Sequence, residues 1–375
     1  MESFDDIRPY YDSEIPAAMK SIAESSALPI LASYVFPDKP IDDVRKLLCS
    51  FQTIRDFQLG VMYHVNKQII HDSITAFTCH GVEQLEKGKA YLFVSNHRDI
   101  MLDASLLQNV LADYGMDTSE ITFGANLMMN QLVVDIGRSN KMFKVERPGG
   151  SIREFYKSSH HLSDYIRQCI TVKGQSAWIA QRNGRTKNGQ DRTDQGIIKM
   201  FCMSMPTDKI RAIAELNVVP VSVSYEWETC DVLKTLELYE SQFAKYTKKP
   251  GEDLNSILTG VLQPKGRVHF EVGAPLTQNE LSAFELQTNN EYHRSVAHLL
   301  DQRIISGYRL FPNNFIAYDL LFGTTKYKDN YTVQDFQNFN DHLAELQRYD
   351  TCDLERLTDI FLSIYANPVI DKTAL

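Results

Sequence analysis

The sequence predicts an α/β fold: a mixed sheet covered by helices, with helical segments before and after it. Two observations carry that prediction. Short apolar runs alternate with amphipathic stretches through the middle of the chain. Those runs are apolar almost throughout, as strands buried on both faces must be. With 375 residues, 43% of them hydrophobic, the chain can bury a core of that size.

Residues 1–40 contain Pro9, Pro16, Pro29, Pro37 and Pro40, and read as short helical pieces joined by turns. Over 44–70 the apolar residues recur at helical spacing, which predicts one long helix. Its apolar face suits either the core or a membrane surface. Residues 74–80 and 90–95 read as strands, 101–111 as a helix and 121–125 as a short strand. Residues 151–170 form an amphipathic helix with Ile152, Phe155, Tyr156, Leu162, Ile166 and Cys169 on one face. Strands follow at 175–180, 218–225 and 268–272. Beyond about residue 285 the pattern is helical. Residues 330–375 hold eight Asp/Glu against three Lys/Arg, which reads as a solvated helical cap. The expected division is 1–72 helical, 73–285 catalytic and 286–375 a helical extension.

The charge of -9 argues against nucleic acid as a partner. The first residues lack the basic and apolar regions of a signal peptide. No apolar run is long enough to span a bilayer. The six cysteines are scattered and form no C-x-x-C pair, as free thiols in a reducing compartment do. These points together predict a cytoplasmic protein, peripheral on the cytoplasmic face of a membrane. Cys79-His80 lacks a second ligand pair in the sequence, so no metal is expected. No G-x-S-x-G elbow marks a serine hydrolase.

Residues 91–103 read Tyr-Leu-Phe-Val-Ser-Asn-His-Arg-Asp-Ile-Met-Leu-Asp. A buried strand there ends abruptly in polar residues. Ligands of open α/β sheets bind at such carboxyl ends. His97 is therefore placed as a general base, and Asp103 across a tight turn can hold its ring in one tautomer. No serine is needed if the attacking hydroxyl belongs to the substrate. A structural histidine capping a helix would look the same in isolation. Two basic clusters, 138–157 and 182–199, stand out from the acidic total. Arg147 and Arg185 suit phosphate because guanidinium binds it bidentately, and Lys144 adds a point charge. Gly184 lets backbone amides approach an anion.

Residues 124–147 (Gly-Ala-Asn-Leu through Phe143 to Arg147), 178–187 (Trp-Ile-Ala-Gln-Arg-Asn-Gly-Arg-Thr-Lys) and 218–226 (Val-Val-Pro-Val-Ser-Val-Ser-Tyr-Glu) complete the picture. With 95–103 they resemble the four ordered blocks of the glycerolipid acyltransferase family, over roughly residues 75–280. The resemblance implies acyl transfer from acyl-CoA or acyl carrier protein to glycerol 3-phosphate or 1-acylglycerol 3-phosphate, without a cofactor. It implies His97 and Asp103 as the catalytic pair. It assigns Asn96, Arg98, Asn126, Lys144, Arg147, Arg182, Gly184, Arg185 and Pro220 to the substrate, with Pro220 shaping the cavity. Two departures stand out. Five residues separate His97 from Asp103 where the common pattern has four, which leaves Asp99 as an alternative partner. The third block has Asn183 or Arg182 where the family has a glutamate. A lyso-amino-lipid acceptor and a non-catalytic lipid-binding protein are the alternative readings. A product with an acyl chain implies a membrane surface as partner, through the 44–70 helix or Leu127-Met128-Met129.

Overall fold

The computed structural model describes residues 3–146 and 151–375. Among them, seven strands form one mixed sheet. They are β1 (Ile74–His80), β2 (Leu92–Ser95), β3 (Glu120–Gly124), β4 (Met142–Val145), β5 (Ala177–Ala180), β6 (Val218–Tyr225) and β7 (Gly266–Val272). Their spatial order is β1-β7-β6-β2-β5-β3-β4. β6 and β7 pair antiparallel, and the other pairs are parallel.

Alternation along the central strands explains the two covered faces. Leu92, Val94, Ile179 and Val218 pack with Tyr165, Ile198 and Leu300 on one side. Phe93, Trp178, Val219 and Tyr225 pack with Leu102, Leu106 and Val110 on the other. Each fully buried side chain of this size contributes about 1.5–3 kcal/mol relative to exposure.

The structure corrects several expectations. Residues 44–70 are not one helix. The helix Ile41–Ser50 stops, and Thr53 and Asp56 form a capping box that starts a new one. That second helix passes through a wide π turn at Gln58–Met62 before Tyr63–Ser73. Gly60 lies in the π turn, where a Cβ would fall 2.5 Å from the Phe51 ring. The apolar face of Ile41–Ser50 is covered: Val44 and Leu48 pack with Met19 and Ile22. The helix Ile152–Thr171 buries Leu162, Ile166 and Cys169, but Ile152, Phe155 and Tyr156 are exposed. β4 was not anticipated. Pro220 lies in the interior strand β6. The β6–β7 ladder begins at Val221 and Val272, one residue beyond Pro220. Pro220 O still accepts from Gly273 N at 2.8 Å, so the missing N–H falls past the end of the ladder. Its ring is buried against Gly273.

The C-terminal acidic segment is more than a solvated cap. The helix Leu354–Thr373 buries Leu357, Phe361, Ile364 and Tyr365. The Tyr365 hydroxyl donates to Asp231 Oδ2 at 2.6 Å and accepts from Glu228 N at 3.1 Å. His342, on Val333–Leu343, reaches the same Asp231 oxygen at 2.7 Å and Glu345 at 2.9 Å. Burial opposes its charged form, but the Asp231 and Glu345 carboxylates override that and raise its pKa from 6.5 to about 9. A raised cationic pKa stabilises the fold fully below pH 6.5 and loses that contribution as pH rises through 9. The loss amounts to at most about 3 kcal/mol. Urea unfolding of wild type should therefore weaken between pH 6.5 and 9.5. His342→Gln should remove most of that slope, and an unchanged slope would show that other groups set it.

Candidate active site

The loop after β2 turns sharply into the helix Leu102–Asp113, with Asp103 in its first turn. A carboxylate there is favoured by the helix dipole and by free backbone N–H groups. Asp103 Oδ2 accepts Arg98 N–H at 2.7 Å and Asp99 N–H at 2.9 Å. The same oxygen lies 2.9 Å from His97 Nδ1. Asp103 Oδ1 accepts the Tyr225 hydroxyl at 2.8 Å. Burial, and after it the charge of Asp103, push the Tyr225 phenol well above its usual range, so it stays a donor. With three other donors on its carboxylate, Asp103 serves His97 as an acceptor. The proton then sits on Nδ1, and Nε2 presents its lone pair. Among the described residues, Nε2 has no hydrogen-bond partner. The ring packs edge-on to Trp178, with centroids 5.9 Å apart.

This geometry decides between the two aspartates. Asp99 Oδ1 accepts Met101 N–H and Leu102 N–H, both at 2.9 Å, as a cap on the helix. Its other oxygen packs against Gly260, where a Cβ would fall 2.2 Å away. Asp103 is the group that meets His97.

The loop after β5 lies against the same corner. Gln181 N–H donates to Ser95 O at 2.8 Å and Thr186 N–H to His97 O at 2.7 Å. Arg182, Gly184 and Arg185 fall between these two ties. Gly184 has φ +75° and nothing within 4 Å of where a Cβ would be. Arg185 carries a buried Nη1 with no partner. Lys187 pairs with Glu237. Its pKa nevertheless falls to about 8, first through burial and then through Arg185 and Lys248. The loop thus concentrates positive charge beside His97, with one guanidinium nitrogen unsatisfied. A guanidinium so placed is suited chemically to an anion.

Other expected site residues are placed differently. Arg98 is not free for a substrate. It is 1% exposed, and its guanidinium reaches Asp191 at 2.7 Å, Glu228 at 3.2 Å and Gly189 O at 3.1 Å. Asn96 is also fully buried, donating to Asp191 and to Val223 O, both at 3.0 Å. Both residues build the corner that carries His97, because a buried charge or amide must be paired. Asn126 donates to Asp253 at 2.9 Å. Lys144 pairs with Glu146 at 2.9 Å on edge strand β4. Two strands separate β4 from β2, which puts Lys144 about 14 Å away across the sheet. Arg147 lies outside the described residues.

Asp191, Glu228 and Lys234 were missed. Lys234 donates to Glu228 at 2.6 Å and to Arg98 O at 2.7 Å, closing a buried ionic network under the His97 turn. Isolated loop acids far apart in sequence give no signal of such pairing.

Residues 76–224 match the family model described as Acyltransferase. No curated protein matches the chain. Among solved structures, the chain is similar to the 1-acyl-sn-glycerophosphate (LPA) acyltransferase PlsC from Thermotoga maritima. The TM-score is 0.38 at 13% sequence identity, over 77% of this chain and 93% of that one.

Proposed function

We propose that this chain, whose residues 76–224 match the family model described as Acyltransferase, moves a fatty acyl group from an acyl thioester to glycerol 3-phosphate or 1-acylglycerol 3-phosphate. The observation that carries this reading is the His97 ring, held by Asp103 with Nε2 free. The donor is an acyl-CoA or acyl carrier protein. Nε2 takes the proton of the acceptor hydroxyl as its oxygen attacks the thioester carbonyl carbon. The C–O bond forms, the tetrahedral intermediate collapses, and the C–S bond breaks. His97 then returns the proton to the departing thiolate. In this reading, backbone N–H groups near Gly184 hold the oxyanion. The reaction so written requires no cofactor.

The unsatisfied Arg185 and the cationic field around Lys187 favour a phosphate-bearing acceptor over a lyso-amino-lipid. Release of free thiol from an acyl thioester should rise with either glycerophosphate and not with a lyso-amino-lipid. Release with the amino-lipid alone would overturn the acceptor assignment. Arg185→Ala should raise KM for the phosphate acceptor about 10- to 100-fold, the worth of one charge-assisted contact. KM for the thioester should stay near wild type. Equal increases for both substrates would place Arg185 elsewhere.

No helix among the described residues is long and apolar enough to cross a membrane. A surface for the acyl product is supported by the helix Glu252–Leu262, next to the proposed phosphate site. Leu254, Leu258 and Leu262 repeat every four residues along it and are 47%, 51% and 65% exposed. This stripe replaces the 44–70 helix as the membrane-facing element. Of the Leu127-Met128-Met129 stretch, Met129 is exposed and stays a candidate contact. The Leu258→Glu, Leu262→Glu double variant should lose at least about tenfold in flotation with anionic phospholipid vesicles, since it removes two apolar anchors. Wild-type flotation by that variant would remove the stripe from the membrane reading.

A further inference from the structure

The acyl-transfer reading gives no role to a second cluster, on the opposite face of the sheet from His97. Tyr225 reaches Asp103, whereas its neighbour Ser224 sits across from His269 in the β6–β7 ladder. Successive residues of a strand point to opposite faces. His269 and Glu271 share that second face of β7, and His80 ends β1 in register with Glu271. One ligand atom from each of the three lies within 4.8 Å of the others. His269 Nε2 is 3.1 Å and His80 Nδ1 3.8 Å from Glu271 Oε2.

The hydrogen-bond directions supply the argument. Thr78 Oγ1 can donate to Val268 O at 3.4 Å while accepting from His269 Nδ1 at 2.8 Å. In the tautomer that keeps both bonds, the His269 proton is on Nδ1. A neutral ring so fixed points the bare Nε2 lone pair at a carboxylate oxygen. A cation between these two atoms, 3.1 Å apart, satisfies both lone pairs. The Thr78–His269 contact is also the orienting bond that metal-bound imidazoles ordinarily carry.

We propose that His80, His269 and Glu271 form a site for one divalent transition-metal ion of the zinc class. Two imidazoles and one carboxylate are a zinc donor set and a poor one for calcium or magnesium, which take oxygens. Lys372 and Arg309 are the cationic neighbours of this cluster. They oppose binding by charge alone and so favour a metal held through imidazole nitrogen. Tetrahedral closure brings ligand atoms to about 3.3 Å of one another. The His80 side chain is 65% exposed and free to swing that distance. Glu271 is held on its other side by Gly307, where a Cβ would fall 3.0 Å from its Cγ. Cys79 takes no part: it packs toward the other face, and burial pushes its thiol up to about 12. The bound ion would clip edge strand β1 to β7, and its fourth position opens to solvent beside His80.

Tag-free protein is equilibrated with Zn²⁺, desalted, and assayed for bound metal by mass spectrometry. Wild type should retain about one ion per chain, and Co²⁺ in its place should give visible d–d absorption. His80→Ala and Glu271→Gln should each weaken Zn²⁺ at least about tenfold. The exposed His80 makes the first of these safe for folding, checked by circular dichroism. Cys79→Ala and His97→Ala should keep the metal. Wild-type retention no greater than that of His80→Ala overturns the site. So does loss of metal in Cys79→Ala or His97→Ala.

Discussion

His97→Ala is expected to lower kcat by about 100- to 10,000-fold, the usual contribution of a positioned general base. The substitution is clean because of how Asp103 is held. Without the imidazole, Asp103 still accepts from Arg98 N, Asp99 N and the Tyr225 hydroxyl. No buried charge is orphaned, so the melting temperature should stay near wild type. The proposed phosphate site rests on the loop after β5, tied to the backbone oxygen of residue 97 and not to its side chain. KM for the phosphate acceptor should therefore change little. Steady-state kinetics with an acyl thioester, beside a thermal melt, checks all three outcomes. A variant that kept wild-type kcat would remove His97 from the chemistry.

Arg98→Ala should do the reverse, acting on the fold before the chemistry. Its guanidinium is shared by Asp191 and Glu228 in a fully buried site. Removing one partner of such a network typically costs about 3–5 kcal/mol, because the remaining charges stay buried. Against a total stability of about 5–15 kcal/mol that is a large fraction. The melting temperature should drop by on the order of 10 °C. Arg98→Lys should recover little of it. A single ammonium cannot span two carboxylates and the Gly189 carbonyl at once. A wild-type melt for either variant would mean that water replaces the guanidinium, and the corner would not depend on this network.

The sequence showed the centre of this protein better than its edges. β6, eight residues at Val218–Tyr225, was readable because every one of them is buried. β4 was not, since an edge strand of four residues, two of them Met142 and Lys144, carries no period of its own. His97 and Asp103 were legible as a local pair at a strand end. Arg98 was misjudged for the same reason: beside a catalytic histidine, an arginine looks like a phosphate ligand. Only the positions of Asp191 and Glu228, 93 and 130 residues away, reveal its partners. Asp99 and Asp103 were equivalent on paper, and the backbone turn separates them. The cluster of His80, His269 and Glu271 was invisible because its ligands come from strands 189 residues apart.

The contacts of the last long helix set a condition on when the site exists. Ile364 O closes on Gly189, whose own carbonyl holds Arg98. Tyr365 steadies Glu228, and Asp371 pairs with Arg192 at 2.5 Å. During synthesis, the turn bearing His97 leaves the ribosome more than 260 residues before these braces do. Until residue 371 has emerged, Arg98 and its carboxylates lack the helix that seals them from water. The histidine is written early, and its full support arrives only with the last turns of the chain.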